Sequence, residues 1–356
     1  MTKILFVGEM GDSPSGDVRL ELPARALRTL GHDVWVCNGL FENADHKLYS
    51  WDPYTGDRLP CPSVLVVRYT KGPDGELIDS ADLYETARKH GQRIFFDVDD
   101  DLWNIPEWNP ASAWTTDKVQ RIVEANINAC DGLIVSTPAL AESALNHGIT
   151  VPVYVLRNGV AVEDYEHRMD ESNPVRLAWI GGTNWRLPDF DMVKDALYVA
   201  LDGMRGRVQF WHLGWQLHTP SMRELLPDFL VDIVEYPWTP VQLFPWALSM
   251  IDAAILPQTS NRFADARSNV LGLRLCAAGV AWAASDTLEY RRLWERHGAG
   301  YIVPTELEWV SAIRTLVAPE YEEYRRGMRV AGFHAARGHD LPVIAEDYRG
   351  VLLHDA

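Results

Sequence analysis

The stretch Leu177-Ala178-Trp179-Ile180-Gly181-Gly182 decides the fold. Four apolar residues run straight into two glycines. This reads as a buried strand ending in a turn that something must approach closely. A polar run, Glu166-His167-Arg168-Met169-Asp170-Glu171-Ser172-Asn173-Pro174, precedes it and reads as a linker. Working outward, short apolar runs alternate with longer amphipathic ones on both sides. Upstream, strands are predicted at 4–7, 34–37, 64–67, 94–98, 133–135 and 151–156. Helices are predicted at 18–30, 81–90, 116–129 and 139–146, the first two closed by Gly31 and Gly91. Downstream, strands are predicted at 177–180, 208–212, 231–234, 253–256, 280–284 and 301–303. Helices fall at 189–201, 241–250, 268–278 and 308–317, and the tail from 321 to 353 is helical.

Strands alternating with helices build βαβ units and a parallel sheet covered on both faces. The expected class is α/β, with two Rossmann-like domains facing across a cleft. The expected boundaries are 1–162, a linker at 163–174, and a second domain at 175–335. A last helix at 336–356 is expected to pack back on the first domain. The length of 356 residues agrees, at roughly 150 residues per domain. With 33 Lys+Arg against 50 Asp+Glu, the net charge of −17 argues against broad binding to nucleic acid, though not against a local basic pocket. The four cysteines, Cys37, Cys61, Cys130 and Cys276, form no CxxC pair, which implies reduced thiols and a cytoplasmic chain. The apolar run at the N-terminus is too short for a signal peptide, and no stretch reaches the ~18 apolar residues of a membrane span. The 14 Trp are many, and indole rings often line sugar-binding or base-stacking surfaces. Layout alone fits binding proteins, epimerases, glycosyltransferases and some dehydrogenases.

Several segments narrow this choice by resemblance. Val155-Leu156-Arg157-Asn158-Gly159-Val160-Ala161 resembles the turn that ends the first domain of GT-B glycosyltransferases. The stretch from Leu177 to Gly182 resembles the opening of their second domain. Arg262-Phe263-Ala264-Asp265-Ala266-Arg267-Ser268-Asn269, followed by Ala277 to Asp286, resembles their donor-site loop, helix and strand. Phe96-Asp97-Val98-Asp99-Asp100-Asp101-Leu102-Trp103 resembles the DDDLW signature of a bacterial and phage branch of glycosyltransferase family four. The resemblance spans nearly the whole chain. It implies a transferase whose first domain presents the acceptor and whose second holds a nucleotide-diphosphate sugar as co-substrate, with no metal or other cofactor required. Family four has a glutamate where this chain has Arg274 and another where it has Ala266. An arginine cannot accept a hydrogen bond, so donor recognition at Arg274 must differ from the family's.

Residue chemistry fills in the candidates. Arg267-Ser268-Asn269 at a helix start offers a cation and backbone N–H groups to a diphosphate, and Arg262 lies close in sequence. Gly181 and Gly182 would let phosphate approach the backbone, with Arg186 as a second cation. Tyr236 and Trp238 lie where the family holds the base and could stack on it. The aspartates after the strand could supply a general base toward an acceptor hydroxyl, hold a divalent metal through oxygen ligands, or cap the next segment and bind nothing; Asp99 and Asp100 are the candidates for the first role. Asp101 and Trp103, with Trp108 and Trp114, are candidates for an acceptor wall. The loop Gly11-Asp12-Ser13-Pro14-Ser15-Gly16 is not GxGxxG, which disfavours a dehydrogenase-type dinucleotide site. Ser15, Gly16 and Arg19 join the acceptor side. His212 is the best-placed histidine.

The expected function is sugar transfer from a nucleotide-diphosphate sugar to a hydroxyl acceptor, by a monomer or homodimer. The alternatives left open are a nucleotide-sugar epimerase or hydrolase, a catalytically inactive binding protein, and a phage DNA-base glycosyltransferase.

Overall fold

The computed structural model describes residues 2–9, 14–69, 76–226 and 230–353, with the side chain of Trp185 also outside the description. The chain forms two compact units. The first comprises Met1–Gly159, Ala266–Ser268 and Asp340–Ala356; the second comprises Val160–Asp265 and Asn269–His339.

In the first unit the strands are β1 (Lys3–Val7), β2 (Asp33–Cys37), β3 (Phe41–Glu42), β4 (Leu48–Tyr49), β5 (Val64–Val67), β6 (Arg93–Val98), β7 (Gly132–Val135) and β8 (Val153–Val155). Six of them pair in parallel in the order β2-β1-β5-β6-β7-β8, while β3 and β4 form a separate antiparallel hairpin. The central strands are apolar almost throughout, because both faces of a parallel sheet are covered. Leu5, Val7, Leu65, Val67, Phe96 and Val135 meet helices in one core. The helix Leu341–Leu352 packs along the helix Leu22–Thr29, with the Tyr348 ring 6.1 Å from Phe6.

The first helix departs from its expected course. Residues 18–30 do not form one α-helix: Pro14–Gly16 make a turn, Asp17–Glu21 form a π-helical stretch, and the α-helix proper is Leu22–Thr29. The wider π turn carries Arg19 into the interior, where its side chain is fully buried.

The second unit has β9 (Val175–Ile180), β10 (Val208–Trp215), β11 (Asp232–Pro237), β12 (Ala253–Leu256), β13 (Ala281–Ser285) and β14 (Tyr301–Val303). All are parallel, in the order β11-β10-β9-β12-β13-β14. The strand order reverses between β9 and β12, and in the first unit between β1 and β5. Ligands of open α/β sheets bind beyond the carboxyl ends of the strands at such points. The helix expected at 189–201 runs instead over Thr183–Leu201, broken at Arg186 (φ −134°, ψ 18°) just before Pro188. The helix expected from 268 begins at Val270.

Residues 163–174, read as a linker, belong to the second unit. Glu171 accepts hydrogen bonds from Arg325 Nε and Nη2, both at 2.7 Å, and from Arg329 Nη2 at 2.8 Å. Both arginines are buried, and Arg325 also donates to the carbonyls of Thr315 and Ala318. Gly279 has φ +72°, and a Cβ there would stand 2.1 Å from the Arg168 carbonyl oxygen, so only glycine fits.

Candidate functional site

In the first unit the site is organised by Arg19 and Asp97, both wholly excluded from solvent. Arg19 Nε donates to Asp97 Oδ1 and Oδ2 at 3.1 Å, and Nη2 donates to Oδ2 at 2.5 Å. A buried ion pair is tolerable only when its remaining donors are satisfied. Arg19 Nη1 meets that condition by donating to the Leu156 carbonyl at 2.7 Å and to Asn158 Oδ1 at 2.9 Å. Arg68 at the end of β5 approaches Asp97 at 3.4 Å. Arg19 thereby fixes the amide of Asn158, whose Nδ2 donates to Asp99 Oδ1 at 3.2 Å and to Ser268 Oγ at 2.8 Å. Ser15 Oγ donates to Asp99 Oδ2 at 2.7 Å.

Asp99 and Asp100 are adjacent and opposite in character. Desolvation would raise the Asp99 pKa. The charges of Arg19 and Arg68 and the two hydrogen bonds from Ser15 and Asn158 outweigh it and hold the carboxyl below its usual range. Asp100 is exposed at the surface. Lost hydration first, and the Asp99 charge second, push its pKa up, while Arg267 and Arg68 pull it down. Among the described residues none donates a hydrogen bond to the Asp100 carboxylate. The pair is therefore one anchored anion beside one available carboxylate.

The rest of the acidic run turns inward. Asp101 accepts from Ser143 Oγ at 2.9 Å and Asn104 Nδ2 at 2.8 Å. Trp103 donates to Glu124 at 2.9 Å and lies flat on His147, centroids 5.3 Å apart. Asp101 and Trp103 hold the loop, and only Trp108 and Trp114 of the expected wall are exposed. Of the loop from Gly11 to Gly16, Gly11, Asp12 and Ser13 lie outside the described residues, and Gly16 is buried in the turn ahead of the π stretch.

Arg267 and Ser268, expected with the second domain, belong to the first unit. The Ala266 carbonyl accepts from Thr137 Oγ1 at 2.7 Å, and Ala266 itself packs in the first core. This places Ser268 on the Asn158 amide and Arg267 within electrostatic reach of Asp100. Asn158 and Arg68 carry as much of the network as the expected residues do. A cation directly after the apolar strand 64–67 was a legible signal for Arg68.

In the second unit the turn after β9 is tightly built. Gly181 N donates to the Leu213 carbonyl at 2.9 Å. Gly214, at φ +119°, lies so near that a Cβ there would come within 3.1 Å of the Gly181 carbonyl. His212 Nε2 is 2.8 Å from the Gly181 carbonyl oxygen, and the ring stacks on Trp179. Burial lowers the His212 pKa, so the neutral ring holds the turn with Nε2 as donor. Gly182 caps the following helix, whose first residue, Thr183, has a buried hydroxyl with no hydrogen-bond partner among the described residues. Arg186 Nε donates to Asp189 Oδ2 at 3.0 Å, and Asp189 Oδ1 accepts from the Thr259 backbone at 2.8 Å. These groups join the carboxyl ends of β9 and β12, where the strand order reverses.

The remaining candidates scatter. Tyr236 sits at the end of β11 with Trp246 edge-on at 5.9 Å, and Trp238 just beyond is exposed. Arg274 is buried, with its guanidinium 5.4 Å from the Phe244 ring centre. Arg262 is exposed at the start of the short helix Arg262–Ala266. Asn269 is buried, its amide donating to the Glu289 carbonyl at 2.9 Å, so its side chain serves the fold. Among the described residues no three His, Cys, Asp or Glu side chains group as metal ligands. No helix is long and apolar enough to cross a membrane.

No family model matches the sequence, and no curated protein matches it. Solved structures do. Sucrose-phosphate synthase from Thermosynechococcus elongatus superposes with a TM-score of 0.66 at 11% identity, over 99% of this chain and 98% of that one. HepE from Anabaena, in complex with UDP and glucose, gives 0.64 at 12%, over 100% of both chains. TarM gives 0.60 at 11%, over 88% of this chain, which spans 63% of the TarM chain. At such identities the likeness concerns architecture. With two parallel sheets in Rossmann-like order and these neighbours, the chain has the GT-B fold.

Proposed function

We propose that this protein is a glycosyltransferase that moves a sugar from a nucleoside-diphosphate sugar to a hydroxyl group of an acceptor. The observation that carries the reading is the pair Asp99–Asp100 at the end of β6. One carboxylate is pinned as an anion, and its neighbour has a raised pKa and no hydrogen bond from a described residue. A carboxylate of raised pKa that still reaches solvent is suited to take a proton from an alcohol. In the proposed step the acceptor oxygen bonds to the anomeric carbon, and the bond from that carbon to the diphosphate oxygen breaks. The proton passes to Asp100, and the nucleoside diphosphate leaves with the electron pair. Arg267 is assigned the charge that develops on the leaving group.

The donor is assigned to the turn after β9. The helix N-terminus there, the unpartnered Thr183 hydroxyl and Arg186 suit phosphate oxygens. Tyr236 and Trp238 are assigned to the base, and Arg274 and Arg262 to the outer donor groups. UDP is the first nucleotide to test, because HepE was solved with UDP-glucose and GtfA with UDP and GlcNAc. The run Asp99-Asp100-Asp101-Leu102-Trp103 supports the narrower placement in the bacterial and phage branch of family four, acting without a metal. The four cysteines, all free thiols, support work in the cytoplasm.

A base at Asp100 implies attack opposite the leaving group and an inverted anomeric centre, whereas family four membership implies retention. The anomer of the product separates the two. The test of the reading itself is a thermal-shift series with UDP, ADP and GDP, followed by UDP-glucose turnover. One nucleotide at 100 times its Kd should stabilise the protein by about 2.7 kcal/mol. Thr183→Val should weaken that shift. A protein that no nucleoside diphosphate stabilises is not this enzyme. One that releases free sugar with no acceptor dependence is a hydrolase.

A further inference from the structure

We propose that His46 and His90 share one divalent transition-metal ion, zinc foremost, bound through their Nε2 atoms, which ties the β3–β4 hairpin to the end of the helix Ala81–Lys89. The site lies wholly in the first unit and does not depend on the transferase reading.

The two imidazoles come from elements well separated in sequence. His46 sits in the turn between β3 and β4, and His90 caps the C-terminus of the helix Ala81–Lys89. Their ring centres are 5.2 Å apart, with the planes inclined at 41°. His46 has φ +58°, a left-handed conformation in which Asn, Asp and His are enriched. Asn43 holds this turn, its Oδ1 accepting from the N–H groups of Asp45 and Lys47, both at 3.0 Å. Two residues beyond His90, Gln92 fastens the hairpin to the same end of the sheet. It accepts from the Leu48 N–H at 2.5 Å and donates to the Leu48 carbonyl at 2.9 Å. Both rings therefore stand on backbone that is fixed before any ion arrives.

Hydrogen bonding decides which nitrogen is available. His46 Nδ1 is 2.6 Å from Glu42 Oε1, and His90 Nδ1 is 2.9 Å from the Thr86 carbonyl oxygen. A carbonyl oxygen or an ionised carboxylate only accepts, so Nδ1 carries the proton in each ring. In the neutral imidazole the lone pair then lies on Nε2. Among the described residues neither Nε2 has a hydrogen-bond partner, and both histidines are exposed. Histidines that bind metal give their other N–H to a carboxylate or a backbone carbonyl, which fixes the tautomer and makes the ligand more basic. Here one ring has each kind of support.

The spacing suits a single ion. Zinc binds imidazole nitrogen at about 2.0–2.1 Å and the ring centre lies ~1.1 Å behind that nitrogen, so two rings on one tetrahedral ion have centres about 5 Å apart. Imidazole favours zinc, nickel or copper, whereas magnesium and calcium take oxygen. No third His, Cys, Asp or Glu joins the pair among the described residues, so water completes the coordination. His90 precedes β6, which opens at Arg93, whereas Asp99 and Asp100 follow its last residue, Val98. The ion is thus at the opposite end of that strand from the proposed base, and its effect is on the stability of the first unit rather than on transfer.

The test uses the full-length, tag-free protein stripped of metal by a chelator. Calorimetry titrates zinc chloride, with magnesium chloride as control, into the parent and into His46→Ala, His90→Ala and Cys61→Ser. The expected result is one zinc per chain, no binding of magnesium, and affinity weakened at least about tenfold by either histidine replacement. Zinc at about 100 times its Kd should raise the melting temperature of the parent by a few degrees and leave both histidine variants where they were. With chelator present all should melt together, because both rings are exposed. Cys61, whose Sγ accepts from Asn43 Nδ2 at 3.5 Å, is the thiol nearest this turn in the hydrogen-bond network, and Cys61→Ser should bind as the parent does. Four results overturn the proposal: zinc does not bind, it binds undiminished after either histidine is replaced, it is lost in Cys61→Ser, or one ion serves two chains. A parent that binds zinc but is stabilised by no nucleoside diphosphate refutes the transferase reading and leaves this site standing.

Discussion

Asp100 should be the most sensitive single position. Asp100→Asn removes the proposed proton acceptor while keeping the shape, and general-base loss typically costs about 10²–10⁴ in kcat. Nucleotide binding should survive, so a thermal shift with UDP alongside a near-dead turnover is the expected pair of results. The same change should also stabilise the fold at neutral pH. A carboxyl whose folded pKa is raised opposes folding once it ionises, and the amide removes that penalty. A lower melting temperature for Asp100→Asn would contradict this account. Arg267 acts in the opposite sense: its charge draws the Asp100 pKa down. Arg267→Ala should therefore move the acid limb of the pH profile of kcat/KM upward, and reduce turnover besides, while the protein stays folded. Sequence reading named both carboxylates as candidates but could not tell them apart. Their difference comes from Arg19, which engages Asp97 78 positions along the chain and orients Asn158.

At the scale of elements, the alternation of apolar runs made the two main sheets legible. Each run in both was long enough to show an apolar signal. The β3–β4 hairpin escaped because strands of two residues carry none, and its aromatic side chains look like core until their exposure is seen. The π-helical stretch Asp17–Glu21 escaped for another reason. It differs from an α-helix by one residue in the span of its hydrogen bonds, i→i+5 in place of i→i+4, and buried electrostatics rather than propensity select it. The clamp of Glu171 on the helix Glu322–Arg337 was hidden in a run that reads as polar linker. Glu171→Ala would leave two buried guanidiniums short of their anion, at a cost of about 3–5 kcal/mol. Those arginines hold the Glu171 pKa below its usual value against desolvation. Its contribution is therefore complete above the unfolded pKa and disappears as pH falls through the folded one. Thermal denaturation should show a large deficit for Glu171→Ala at pH 7 that narrows in acid. A deficit independent of pH would show that packing, not charge, is what was lost.

At the scale of the whole molecule, the net charge of −17 is a property of the general surface, while the proposed chemistry rests on a few arginines, two of which, Arg19 and Arg186, are held by carboxylates. Composition could report the first and not the second. It could not report the path of the chain either. The first unit is closed by its own last helix, Leu341–Leu352, whose Tyr348 lies against Phe6 of the opening strand. A ribosome therefore releases most of the first unit, then the whole of the second, before it delivers the helix that completes the first. During that interval the earliest part of the protein should wait with the face that Leu341–Leu352 covers open to proteases. A chain stopped after His339 should keep a protease-resistant second unit and lose the first to digestion, and supplying residues 340–356 as a separate peptide should restore protection. If both units of the shortened chain resisted digestion equally, the last helix would be an ornament of the first unit rather than its keystone.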